Sequence, residues 1–189
     1  MKYIPLIELA ILTMMISVKA NILRRKGKKV IAFGDTHPSD FLLLPFALCL
    51  VYAMLTAFFD LPFPVVLQKA FWHSDLLYWL ASLVCAASLI WLGITLKTFG
   101  QSFRVGIDKQ TKDQLITTGT FAFSRNPVFV SFIVFFLGFF LAYPNLITLA
   151  LPVFSAIMIH RQILQEETFL KSHYGKEYDD YCSRVRRYM

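Results

Sequence analysis

An all-α, polytopic membrane bundle is the fold class this sequence predicts, and three observations predict it. The chain of 189 residues is 57% hydrophobic and 16% aromatic, against roughly 45–50% apolar in soluble domains, and its mean hydropathy is +0.57. Its apolar residues gather into five segments, 4–18, 41–59, 76–96, 128–143 and 146–159. Its charges lie in the gaps between them, so the formal charge of +7 reads as membrane topology and not as nucleic-acid binding. The length fits one bundle: a single integral membrane domain over 1–189, with three N-terminal spans in 1–98 and a second half in 99–189.

The first segment could pass for a signal peptide. Glu8 interrupts it, however, and the basic run Arg24, Arg25, Lys26, Lys28 and Lys29 follows it directly, which holds that side in the cytoplasm and marks a retained span. An acidic residue inside a span points to function, although Glu8 is near enough to the outer surface to snorkel. The second and third segments reach the ~20 residues of a crossing. The last two are short and break at Pro144-Asn145. They read as an antiparallel helical hairpin, lengthened at its base by Pro127 and by residues 160–163. Pro127 suits a first helical turn, where its missing N–H costs nothing.

With five spans and the N-terminus outside, every Lys and Arg except Lys2 and Lys69 falls on the cytoplasmic side. Residues 97–125 and the tail from His160 onward then share that face, the natural setting being a bacterial cytoplasmic membrane. In the tail, Phe169, Leu170, Tyr174, Tyr178 and Tyr181 recur at spacings of three and four, which puts them on one helical face. Gly175 breaks the tail into two helices, and an amphipathic tail on the membrane surface is the expected outcome.

Two polar inserts carry the groups that lipid would reject: residues 115–129, LITTGTFAFSRNPVF, and 165–181, QEETFLKSHYGKEYDDY. In the first, Asn126 is placed to cap the helix that Pro127 opens, with Arg125 at headgroup depth. Gly119 offers backbone that a ligand can approach closely, and free N–H groups at a helix start can hold a carboxylate. In the second, Glu166 and Glu167 point about 100° apart, so one is expected to face the site and the other solvent. A carboxylate just past a span can hold an ammonium or sulfonium group. Among the histidines His160, at the end of the last span and expected to point inward, is the best catalytic candidate. Cys49 and Cys85 fall in spans and Cys182 lies in the tail; no Cys or His pair has metal spacing, so no metal is expected. There is no GxGxxG, GxxxxGK[ST] or GxSxG pattern, which leaves a soluble Rossmann-type domain unsupported.

The pattern Leu115-Ile116-x-x-Gly119-x-Phe121-x-x-x-Arg125-Asn126-Pro127-x-Phe129 resembles the core motif of the isoprenylcysteine carboxyl methyltransferase and phospholipid methyltransferase group, Leu-Val-x-x-Gly-x-Tyr-x-x-x-Arg-His-Pro-x-Tyr. Glu166-Glu167 followed by Tyr174-Gly175-x-Glu177-Tyr178-x-x-Tyr181 resembles the same group's Glu-Glu and Phe-Gly-x-Glu-Tyr-x-x-Tyr. The resemblance covers about the last 90 residues, and the first half shares only hydropathy. It implies S-adenosylmethionine (AdoMet) as methyl donor, in a pocket at the cytoplasmic ends of the last helices. Cofactor contacts carried over are Leu115, Ile116, Gly119, Phe121, Asn126, Pro127, Val128, Phe129 and Glu166, with Gly106 upstream. Arg125, Glu166 and His160 become the catalytic candidates. Where the carboxyl methyltransferases place an arginine for the substrate carboxylate, this chain has Gln162 with Arg161 beside it. The motif histidine is Asn126, which keeps a donor and an acceptor, and both motif tyrosines are phenylalanines.

The expected activity is AdoMet-dependent methyl transfer to a hydrophobic or amphipathic acceptor (isoprenoid, lipid or prenylcysteine-like), with membrane lipids as the surroundings and the acceptor's tail between Phe132, Phe135, Phe136, Phe139 and Phe140. The alternatives are an NADPH-dependent sterol-type membrane reductase and a non-catalytic membrane subunit that retains the fold.

Overall fold

Every regular element is a helix among the residues that the computed structural model describes, 3–25, 52, 64–100 and 115–189. In chain order these are α1 (Ile4–Arg25), a single turn α2 (Val65–Gln68), α3 (Asp75–Phe99), a 3₁₀ turn (Gly119–Ala122), α4 (Pro127–Ala142), α5 (Leu146–Tyr174) and α6 (Lys176–Arg184). The segment 41–59, read as the second span, and Gly106 lie outside the described residues apart from Tyr52.

Local chemistry sets the helix ends. The Ser74 hydroxyl caps α3 by accepting from the Leu77 N–H at 3.3 Å. Gly100, at φ 55, closes it in a conformation that other residues adopt at a cost. Asn145 and Thr148 form a reciprocal capping box at the start of α5. Gly175, at φ 53, separates α5 from α6 as expected.

Cross-helix hydrogen bonds give the directions. The Ile4 N–H donates to the Tyr78 hydroxyl at 3.3 Å and Lys19 Nζ to the Leu96 carbonyl at 2.8 Å, so α1 and α3 run parallel. Trp91 Nε1 donates to the Pro127 carbonyl at 3.1 Å and the Cys85 thiol to the Phe135 carbonyl at 3.5 Å, so α4 runs antiparallel to α3. The α4/α5 pair is the expected hairpin, turning at Pro144-Asn145. At that turn the Phe71 N–H reaches the Pro144 carbonyl, and Phe140 packs edge-on against Phe71 and Trp72. Both polar inserts therefore collect at the opposite end of the bundle.

Helices in lipid gain nothing from hiding apolar surface from one another, so close packing must hold them together. The buried face of α3 is a stripe of small residues, Ala81, Ser82, Cys85 and Ser88. Gly138 of α4 lies against it: a methyl group added there would come within 2.8 Å of the Cys85 sulfur and 3.2 Å of the Ala81 carbonyl oxygen. Leu92, Phe135 and Phe139 complete the core.

α1, α3 and α5 are long and apolar enough to cross a membrane, so the protein is a membrane helical bundle. The 16 residues of α4 rise only about 24 Å, less than the ~30 Å hydrocarbon layer. The first span runs to Arg25, beyond the expected Val18, because Lys19 finds the Leu96 carbonyl. Glu8 does not snorkel; it is buried at 8% exposure, and its Oε2 has no partner among the described residues. The last span was expected to reach residues 160–163 with a separate helical tail after it, but α5 continues unbroken to Tyr174. Its apolar stretch ends at Ile163, and the polar turns that follow project beyond the span.

Candidate functional site

The site is assembled from the turn before α4, the polar turns of α5, and the chain after α6. Residues Leu115 and Ile116 run in half-buried, non-helical backbone. Gly119 follows at φ 62, and a Cβ there would meet the Thr98 side chain at 2.8 Å. The close approach this glycine permits is therefore to the end of α3. Phe121 is buried and meets Phe99 edge-on at 4.9 Å, while its carbonyl accepts from the Tyr181 hydroxyl at 2.7 Å. Burial pushes the Tyr181 phenol up to about 12, with nearby Arg125 opposing and Cys182 adding to the rise, so it remains a donor. Tyr178, Tyr181 and Val185 form a small core with Leu115, Leu170, Tyr174 and Cys182 around it. The aromatic stripe of the tail thus packs onto the first motif. Phe169, expected on that face, stacks instead on His173.

Asn126 stands at the N-cap position of α4 but does not cap it through its side chain. Its amide donates to the Arg187 carbonyl at 3.1 Å, and its own N–H donates to Ser124 Oγ at 3.1 Å. Pro127 is buried at the first turn, as expected; Val128 and Phe129 are half-buried.

The two glutamates divide differently from the expectation. Glu167, expected to be the solvent-facing partner or the weaker contact, holds two arginines. Arg187 Nε and Nη2 reach its two oxygens at 3.0 and 2.7 Å, and Arg125 Nη2 reaches Oε1 at 3.3 Å. The Glu167 and Arg125 side chains are each only 14% exposed. This doubly hydrogen-bonded carboxylate holds the Arg187 guanidinium above its ordinary range. Arg125 also donates to the Cys182 sulfur, and its Nε finds no partner among the described residues. Arg125 is thus paired with Glu167, where the sequence reading had set it beside Glu166.

Glu166 accepts one hydrogen bond, from Gln162 Nε2 at 3.1 Å. The residue is half-buried, and burial pushes its carboxyl up to about 7, the Gln162 bond holding it back. Gln162 lies one turn before Glu166 on α5. A desolvated carboxylate whose partner among the described residues is a neutral amide would be stabilised by a cation brought beside it.

Two residues do not join this group. His160, expected to point inward, is exposed and shares a 2.6 Å hydrogen bond with the Tyr188 hydroxyl; Arg161 is exposed beside it. The sequence reading missed Arg187, Tyr188, Ser124 and Cys182. Their signal was slight: three arginines between Tyr181 and Tyr188, with no apolar period to anchor them.

Three helices long and apolar enough to cross a membrane, with a polar cluster gathered at one end of the bundle, define a membrane protein with a candidate site at that end. The model of the phospholipid methyltransferase family matches residues 70–177, more than half of the chain, and the protein belongs to that family. Over 91 residues it is 33% identical to the protein-S-isoprenylcysteine O-methyltransferase of Schizosaccharomyces pombe, an overlap of 46% of this chain and 38% of that protein. The chain thus matches well under half of that relative's length. No solved structure is a significant match.

Proposed function

We propose that this protein transfers a methyl group from AdoMet to the small polar end of a lipid-like acceptor at the cytoplasmic membrane face. One observation carries the reading: among the described residues Glu166 pairs with the neutral Gln162 alone, while its neighbour Glu167 is compensated by two arginines. The residues fit AdoMet, whose ammonium and sulfonium charges would satisfy the Glu166 carboxylate. Family membership supports the same chemistry.

AdoMet, when bound, supplies an electrophilic methyl carbon on a positively charged sulfur. The chain's own residues hold, orient and desolvate. Glu166 anchors positive charge, and Gln162 orients its carboxylate. The Leu115–Ile116 segment and the buried Phe121 ring offer apolar walls. Enclosure excludes water and holds the reacting atoms in line, the main contribution a protein can make to such a displacement. His160, exposed and bound to Tyr188, has no supporting contact for a role as base.

The acceptor's tail cannot lie between Phe135 and Phe139, which are 0% and 1% exposed core residues. We place it instead along the lipid-facing side of α5, where Val153, Ile157 and Leu164 are exposed. The test is AdoMet and NADPH binding to detergent-solubilised protein, followed by methyl transfer across an acceptor series of increasing chain length. AdoMet should bind and NADPH should not. Turnover should rise with tail length, since each buried methylene contributes about 0.8 kcal/mol. Equal use of a tail-less acceptor would refute the lipid-like substrate, and absence of AdoMet binding would refute the reading as a whole.

A further inference from the structure

The chain after α6 does not trail into solvent. Residues 185–189 fold back as a strap over the turn that precedes α4 and the polar end of α5. Val185 is 9% exposed and joins the tyrosine core. The Arg186 carbonyl accepts from the Arg125 N–H at 3.0 Å. The Arg187 carbonyl accepts from Asn126 Nδ2 at 3.1 Å and from Ser124 Oγ at 3.4 Å. The strap's side chains grip α5: Arg187 takes Glu167 with two bonds and Tyr188 takes His160 with one.

The spacing explains the grip. His160 and Glu167 are seven residues apart, two helical turns, and so lie on one face of α5. Glu166 is turned about 100° away, onto the side of Gln162, with the buried Ile163 between the directions of the two glutamates. The paired glutamates therefore look in different directions. One meets the strap and the other meets Gln162. The two arginines already neutralise Glu167 and occupy both its oxygens, so it has little attraction left for a further cation.

We propose that Glu167 is a positioning residue: it latches the C-terminal strap through Arg187, and the strap in turn fixes the Arg125-Asn126 turn that forms the cofactor end of the site. This inference rests on the AdoMet reading for its functional consequence, but the latch itself can be tested without it. Two measurements on the full-length protein in detergent separate them. The first is the rate of Cys182 alkylation, read by peptide mass, because the half-buried Cys182 sulfur accepts from Arg125, which itself pairs with Glu167. The second is the AdoMet dissociation constant.

Arg187→Ala and Glu167→Gln should each speed Cys182 alkylation severalfold. Each should also weaken AdoMet roughly tenfold, the loss of one charged contact. The double variant should be no worse than the poorer single, because both changes open the same latch. Arg187→Lys, which keeps the charge, should recover most of the affinity. If Glu167→Gln weakens AdoMet while Arg187→Ala does not, Glu167 is a direct ligand and the latch is wrong. If the wild-type protein binds no AdoMet, the functional reading fails, and the alkylation rates decide alone. Rates unchanged in both variants overturn the latch, and faster rates in both uphold it.

Discussion

The pH dependence of cofactor binding is the sharpest consequence of the Glu166 environment. Burial moves this carboxyl from 4.5 to about 7. Between those values the folded protein keeps a proton that the unfolded chain has lost. The group's contribution to stability is therefore full below pH 4.5 and is lost as pH rises through 7. Binding a cation runs the opposite way, because it requires the ionised form. With a free-protein value near 7, the apparent dissociation constant carries a factor of about 11 at pH 6 and about 1.1 at pH 8. Affinity should thus improve about tenfold between the two. AdoMet has a titrating amine of its own, so the useful quantity is the difference between wild type and Glu166→Gln. Titration calorimetry in detergent at pH 6, 7 and 8 supplies it. Glu166→Gln should lose the tenfold slope and, at pH 8, bind about 10- to 150-fold more weakly, the worth of one charged hydrogen bond. Apo thermal stability should show the mirror image, with wild type losing ground to the variant as pH rises from 5 to 8. Identical pH profiles for the two proteins would refute the assignment of Glu166 as the cation anchor.

Gly138→Ala should destabilise the bundle by about 1–3 kcal/mol, seen as a lower Tm in detergent, because the new methyl meets the Cys85 sulfur at 2.8 Å; an unchanged Tm would mean that α3 and α4 do not approach so closely. Tyr181→Phe should cost about 1–2 kcal/mol of stability by leaving the Phe121 carbonyl without its 2.7 Å donor, with little direct effect on methyl transfer beyond looser cofactor binding. Gly119→Ala should be harmful both because φ is 62 and because Thr98 blocks the added carbon, and pairing it with Thr98→Gly should recover only the steric part. Asn145→Ala, which removes the capping box of α5, should lower stability by about 1 kcal/mol without changing AdoMet affinity; a changed affinity would show that the two ends of the hairpin are coupled.

Hydropathy alone determined that this is a helical membrane protein, because continuous apolar runs such as 76–96 have the length of a helical crossing, in which the backbone is satisfied within the segment. Capping chemistry was equally legible. Pro127, the Pro144-Asn145 break and Gly175 mark helix ends by rules that need no tertiary partner. The two motifs identified the region of the site for the same reason, since polar groups beside apolar spans stand out against their surroundings. Which glutamate does what was decided only by the tertiary structure. Adjacent residues on a helix differ by a rotation that sequence states, but what waits on each side depends on a strap 20 residues downstream. Asn126 likewise carries the sequence signature of a cap, yet the Arg187 carbonyl takes its amide. His160 stands at the right place along α5 for an inward role and faces outward because Tyr188 meets it there. The aromatic period announced a helix up to Gly175, but not that it runs on unbroken from the last span as one helix of 29 residues; the polar turns that join the two are held by ion pairs whose partners lie elsewhere in the chain.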